Sequence, residues 1–264
     1  MRLILLGSGS TGNALYVESG ATRVIVDCGM SGKEAAARMT DVGLDPTRLD
    51  GIVVTHEHVD HMKGVRVVSK TAGAPVFVSD VTRAHCNFGR NAAGIVWGEA
   101  IESSTPFKIG SLDFRPFTIP HDGADNFAFT VESEGVKVGM ATDLGHITHL
   151  VSERFRGSDL IIIESNYDPE MLKVGPYPWS VKQRIGSTTG HLSNDETARW
   201  IRQGFDGSAR YLVLAHLSRH CNHPELARLS ALKALDALGS LFFQNPYDRL
   251  KIAPHDRPSE WFEL

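Results

Sequence analysis

The chain has 264 residues, 42% of them hydrophobic and 22% charged, with 25 glycines and a net charge of -4 at pH 7. That length and apolar content are enough to bury a sizeable core, and no linker, low-complexity tract or solenoid repeat divides it, so one domain over residues 1–264 is expected. The composition excludes a membrane span and a global field that would draw in nucleic acid, so any polyanion has to be held by local basic groups and metal ions.

In chain order, residues 2–6, 14–18 and 22–27 read as short strands, followed by an alanine-rich helix over 31–42 with Ser31 as N-cap. Residues 52–55 form a buried strand and 61–70 a helix. Strands are expected over 75–78, 112–119, 127–132, 136–142 and 159–164, with Glu134-Gly135 as a hairpin turn between two of them. The irregular stretch 81–97, carrying Arg83 and Arg90, reads as a flap, and the proline- and glycine-marked stretch 167–190 as a loop. A helix over 194–203, a strand over 211–215 and a helix over 224–238 close the pattern. Strand clusters flanked by helices in both halves predict two mixed sheets packed face to face with helices outside, an α+β sandwich. Cys28, Cys86 and Cys221 are odd in number and far apart, which argues against a disulfide framework and for a reducing cytoplasm.

Directly after the apolar run 51–55 stands His56-Glu57-His58-Val59-Asp60-His61. Three imidazoles and a carboxylate at this spacing match the donors that borderline divalent ions such as zinc accept. Further polar residues close apolar runs where a loop leaves a sheet: Asp27 after 22–26, His121 after 118–120, Asp143 after 138–142 and His216 after 211–215. Any one of them alone is an ordinary turn residue. Together with the cluster they point to a shared metal centre.

His56, His58, Asp60 and His61, followed at a distance by His121, Asp143 and His216, resemble the signature of the metallo-β-lactamase superfamily over nearly the whole chain. The resemblance implies an αβ/βα sandwich with two metal ions, Zn or Mn, at the edge where loops of both sheets meet. It implies His56, His58 and His121 on the first ion, Asp60, His61 and His216 on the second, Asp143 bridging, and Asp27 orienting a ligand histidine. Two such ions about 3.5 to 4 Å apart share a hydroxide and lower its pKa toward roughly 7, so hydrolysis is the expected reaction. Asp60 and His191 are the expected catalytic side chains, the first orienting the nucleophile and the second assisting the leaving oxygen.

The secondary motifs bear on substrate. The segment 6–13, Leu-Gly-Ser-Gly-Ser-Thr-Gly-Asn, is similar to the glycine-serine loop of phosphodiesterases and nucleases, which makes Ser8, Ser10 and Asn13 candidate contacts. Gly190-His191-Leu192-Ser193-Asn194 is similar to a motif of the transfer-RNA 3′-processing branch. Residues 164–172, 175–179, 216–218 and 258–262 resemble the YycJ/VicX (WalJ) branch, which implies a DNA exonuclease, read here as 5′-to-3′. The chain departs from that branch at Tyr167 and at His220-Cys221, outside the metal motif. Asn166, Ser193, Lys182 and Arg184 complete the candidate substrate contacts, with Lys173 and Arg219 as further nearby cations. Tyr177 and Trp179 are aromatic surfaces for an unpaired base. The alternatives are a metallohydrolase of a small cyclic phosphodiester, thioester or lactone, and a non-catalytic metal-binding regulatory module.

Overall fold

A computed structural model describes residues 1–86 and 94–264. Its strands form two mixed sheets. The first runs in the order β13 (Phe262–Glu263), β1 (Arg2–Gly7), β2 (Ala14–Ser19), β3 (Thr22–Val26), β4 (Gly51–Val53), β5 (Val76–Phe77). The second runs β12 (Leu250–Ile252), β11 (Tyr211–Ala215), β10 (Leu160–Glu164), β9 (Val136–Ala141), β8 (Phe127–Ser133), β7 (Leu112–Thr118), β6 (Phe107–Ile109). The expected sandwich is therefore observed.

Alternation along the strands explains the layering. Leu3, Leu5, Val17, Val24 and Val26 of the first sheet pack with Phe114, Phe129, Val131, Met140, Ile162 and Val213 of the second in one buried cluster. The intervening residues point outward. Ile4, Ile25 and Ile52 meet helices α1 (Gly32–Asp41) and α3 (Val65–Ala72). Ile161, Ile163, Leu212 and Leu214 meet α5 (His149–Phe155), α8 (Asn194–Gln203) and α9 (Pro224–Leu238). Strands buried on both faces read as continuous apolar runs, as 160–163 and 212–215 do.

Local signals hold at several points. The Ser31 side chain accepts from Glu34 N–H and caps α1. Glu134 and Gly135 both have positive φ, 52° and 80°, as the tight β8–β9 hairpin requires. The helix expected over 61–70 is instead α2 (Val59–Met62) and then α3, parted at Lys63-Gly64. A side chain at Gly64 would meet Met30 O at 2.4 Å and Cys28 Sγ at 2.6 Å, so this backbone is pressed against the 28–30 segment.

The stretch 167–190, expected as a loop, contains α6 (Pro169–Val174) and α7 (Trp179–Ile185). Asp168 accepts from Glu170 N–H and Met171 N–H, and Pro169 takes the first helical position, where its missing N–H costs nothing. Part of the expected flap is helix α4 (Asp80–His85), and Arg83 stacks over the Trp97 ring at 4.2 Å. Arg90 lies outside the described residues. A further short helix, α10 (Pro246–Arg249), precedes β12. No helix of the described residues is long and apolar enough to cross a membrane.

Candidate metal centre

The sheet edges converge because β3–β4–β5 and β9–β10–β11 are parallel within their sheets, so their C-terminal ends open on one side. Asp27, Asp143 and His216 each follow such a strand, and each adopts a left-handed backbone, with φ of 59°, 59° and 55°. Non-glycine residues take this region at a cost, and three of them at one site mark strain held by the surroundings.

Three groups of side chains come within metal-binding reach, their donor atoms within 4.8 Å of one another: His56, His58 and His121; Asp60, His61, Asp143 and His216; and Asp143, Glu164, His191 and His216. The structure thus brings together all seven residues expected as ligands. His61 Nδ1 donates to Asp27 Oδ2 at 2.8 Å, which turns Nε2 toward the other donors. His61 Nε2 lies 3.0 Å from Asn13 Nδ2 and 3.0 Å from Asp143 Oδ2, an oxygen that is buried without a hydrogen-bond partner. His56 Nε2 is likewise buried and unpartnered. Buried acceptors left without partners are costly unless a cation satisfies them, so the donor set fits divalent ions.

Electrostatics divide the donors: burial opposes charging His61 and His216, but Asp143 and the other facing carboxylates raise both above the ordinary imidazole value, so binding a metal there releases protons. Burial, with the neighbouring His61, holds His56 well below the usual imidazole pKa, in the neutral form that binds metal. Burial opposes ionisation of Asp143, but His216 and His61 outweigh it and its carboxyl lies well below the usual range. Burial also opposes ionisation of Asp60, yet the hydrogen bond from His216 and the charge of His61 lower it to about 2.

The glycine-serine loop serves as scaffold for this edge. Asn13 N–H donates to Asp60 O at 2.8 Å, and Asn13 Oδ1 accepts from Gly9 N–H at 2.7 Å. His216 N–H donates to Ser8 Oγ at 2.8 Å. A Cβ at Gly29 would fall 1.5 Å from Asp60 O, so only glycine admits this approach. Asn166 Nδ2 donates to His216 O at 2.7 Å, and Ser193 caps α8 in a reciprocal pair with Glu196. Ser8, Asn13, Asn166 and Ser193, expected to touch substrate, are therefore buried and spend their hydrogen bonds inside the protein. Ser10 is exposed. Lys182 donates to Lys173 O, and Arg184 pairs with Asp122.

Two residues of the site escaped the sequence reading. Glu164, fully buried at the end of β10, places Oε1 2.9 Å from His191 Nδ1 and 2.7 Å from His216 Nδ1, while Oε2 accepts from Leu144 N–H and Leu192 N–H. Burial opposes its charge, but His191 and His216 prevail and lower its pKa to about 2. Its signal was available: a carboxylate closing the apolar run 160–163, by the logic that found Asp143. Asp122 lies 3.6 Å from His58 Nε2 and 3.4 Å from His121 Nε2 and is held by Arg184. Only its place beside His121 pointed to it. His121 Nδ1 donates to Gly190 O at 3.1 Å, which directs Nε2 toward His58.

This fold and this cluster define a class, the metal-dependent hydrolases of the metallo-β-lactamase fold. Residues 22–217 match the beta-lactamase superfamily domain, and the chain belongs to that family. It is 34% identical over 238 residues to exodeoxyribonuclease YycJ of Bacillus anthracis, covering 89% of each chain. It is 29% identical over 257 residues to ribonuclease Z of Bradyrhizobium diazoefficiens, covering 86% of this chain and 81% of that one. Among solved structures, the metallo-β-lactamase fold protein YhfI of Bacillus subtilis superposes with a TM-score of 0.74 at 16% identity, over 98% of this chain and 99% of the other.

Proposed function

We propose that the protein is a two-metal phosphodiesterase acting as a DNA exonuclease, with Zn or Mn as the ions. The observation that supports this reading is the pair of buried, unpartnered acceptors His56 Nε2 and Asp143 Oδ2, which lie in two adjoining donor groups and are each left for a cation to satisfy. His56, His58 and His121 would hold one ion and Asp60, His61 and His216 the other, with Asp143 between them. When bound, the ions supply an activated water and neutralise charge at phosphorus. Asp60, whose Oδ2 lies 3.4 Å from His216 Nε2, is ionised and orients the attacking water as a hydrogen-bond acceptor. His191 is only partly buried, and Glu164 fixes its Nδ1, which leaves Nε2 to carry a proton to the leaving oxygen.

DNA is favoured by the exodeoxyribonuclease relative at 34% identity, and RNA is the second reading, favoured by the ribonuclease Z relative. The direction proposed is 5′-to-3′, and the setting the cytoplasm, consistent with three free cysteines. The test is hydrolysis of 5′- and 3′-labelled DNA and RNA ladders by protein loaded with each metal in turn. Progressive loss of a 5′ label from DNA is expected. Ladders left intact alongside rapid turnover of small esters would overturn the nuclease reading.

A further inference from the structure

Beside the metal centre, α6 and α7 form a short helical pair, and between them lies a groove of about 390 Å³ lined by Pro169, Leu172, Lys173, Trp179, Lys182 and Gln183, with Gly186 at its end. Trp179 is 71% exposed on its wall. An indole left this open at a helix start is an unpartnered apolar surface. Tyr177, by contrast, is half-buried and packs edge-on against His220 at 5.9 Å, so the two aromatics of this segment differ in availability.

Charge separates this groove from its neighbours. Its lining carries two lysines and no carboxylate. The larger cavity beside Ser8 is lined by arginines but also by Glu225 and Asp256, and the cavity below the 57–66 segment includes Glu57. The helix that carries Trp179 also contacts the centre through its last turn. Along α7, Arg184 follows Trp179 by five residues and is paired with Asp122, which touches His58 and His121. After α7 the chain returns at once to Gly190 and His191, with His191 N–H donating to Ile185 O.

We infer that the α6–α7 groove takes an unpaired stretch of the nucleic-acid substrate, one base stacking on Trp179 and its phosphates lying along Lys173 and Lys182. This inference rests on the phosphodiesterase reading and specifies the substrate as single-stranded next to the scissile bond. A base in a duplex already has both faces covered, so only an unpaired one gains from the indole. Lys173 and Lys182, each with a local partner on the protein, exchange those contacts for phosphate and contribute through counterion release.

The test is fluorescence anisotropy with metal-loaded protein and a labelled, hydrolysis-resistant phosphorothioate dT12, against a blunt duplex of the same length. Trp179→Ala should raise the dT12 Kd about ten-fold, in the range that stacking of one base provides, and leave duplex binding where it was. Trp179→Phe should recover most of the loss. Lys182→Ala should reduce the slope of log Kd against log salt by about 0.7. Equal dT12 binding by wild type and Trp179→Ala, in protein that still degrades DNA, would overturn the groove and leave the nuclease reading standing. A change confined to the oligomeric state of Trp179→Ala would overturn it too, assigning the indole to a protein contact. Wild-type protein that degrades no nucleic acid fails the underlying reading instead.

Discussion

Asp27 holds His61 by a single short contact, Oδ2 to Nδ1 at 2.8 Å, and through it fixes which nitrogen of His61 faces the other donors. The same carboxylate accepts from Thr55 N–H and Thr55 Oγ1, so it ties the end of β3 to the start of the histidine motif. Asp27→Asn keeps a side chain that tolerates φ of 59° and an oxygen for Thr55 N–H, but loses the charge opposite His61. Metal affinity should fall about 10- to 100-fold with the fold intact. Competition with a chromophoric chelator and circular dichroism measure the two separately.

His191→Ala should lower kcat by about 10²- to 10⁴-fold on DNA while metal content stays at the wild-type value. Elemental analysis of the purified variant decides the point. Loss of metal in step with activity would reassign His191 to the coordination shell, within whose reach it lies.

The pH dependence should follow Glu164. Burial works against charging His191, but the Glu164 carboxylate outweighs it and raises the imidazole above its ordinary 6.5. A raised value keeps the proton-donating form populated above pH 6.5 and loses it as pH rises through the shifted pKa. Activity should therefore hold at neutral pH and decline on the alkaline side. Glu164→Gln removes the charge, so the alkaline limb of kcat should move to lower pH. A limb that does not move, in protein with full metal content, would remove His191 as the proton donor.

Gly29→Ala places a methyl 1.5 Å from Asp60 O, which cannot be relieved without moving the second donor group. The cost should be about 3 kcal/mol or more, with loss of metal. Gly186→Ala, which meets only Tyr167 Oη at 3.5 Å and Lys182 O at 3.6 Å, should be near neutral. Thermal melts of both variants give the comparison.

Chelation should abolish hydrolysis, and Zn or Mn should restore it. It should also lower Tm, because His56 Nε2 and Asp143 Oδ2 are left buried without partners. Each ion present at about 1,000 times its Kd stabilises by about 4 kcal/mol, a shift of roughly 10 °C per ion in a chain of this size. Calorimetry with and without chelator reads it directly.

The sequence by itself determined the sandwich and the metal-reaching cluster. Strands buried on both faces must be continuous apolar runs, and a histidine or carboxylate that ends such a run can only sit where the loop leaves the sheet, as His56, Asp143 and His216 do. Tertiary structure decided the rest. Ser8, Asn13 and Asn166 look like surface contacts in a polar segment, but whether a hydroxyl or amide meets solvent or the back of His61 or His216 depends on chain neighbours some 47 to 208 residues away. Helices α6 and α7 were hidden because proline and glycine punctuate helix starts as readily as loops. Glu164 became part of the site only when β10 was placed beside β11, which ends at His216, and the loop before α8 was returned to the end of β10 with His191, since hydrogen bonding to two histidines at once depends on both neighbours.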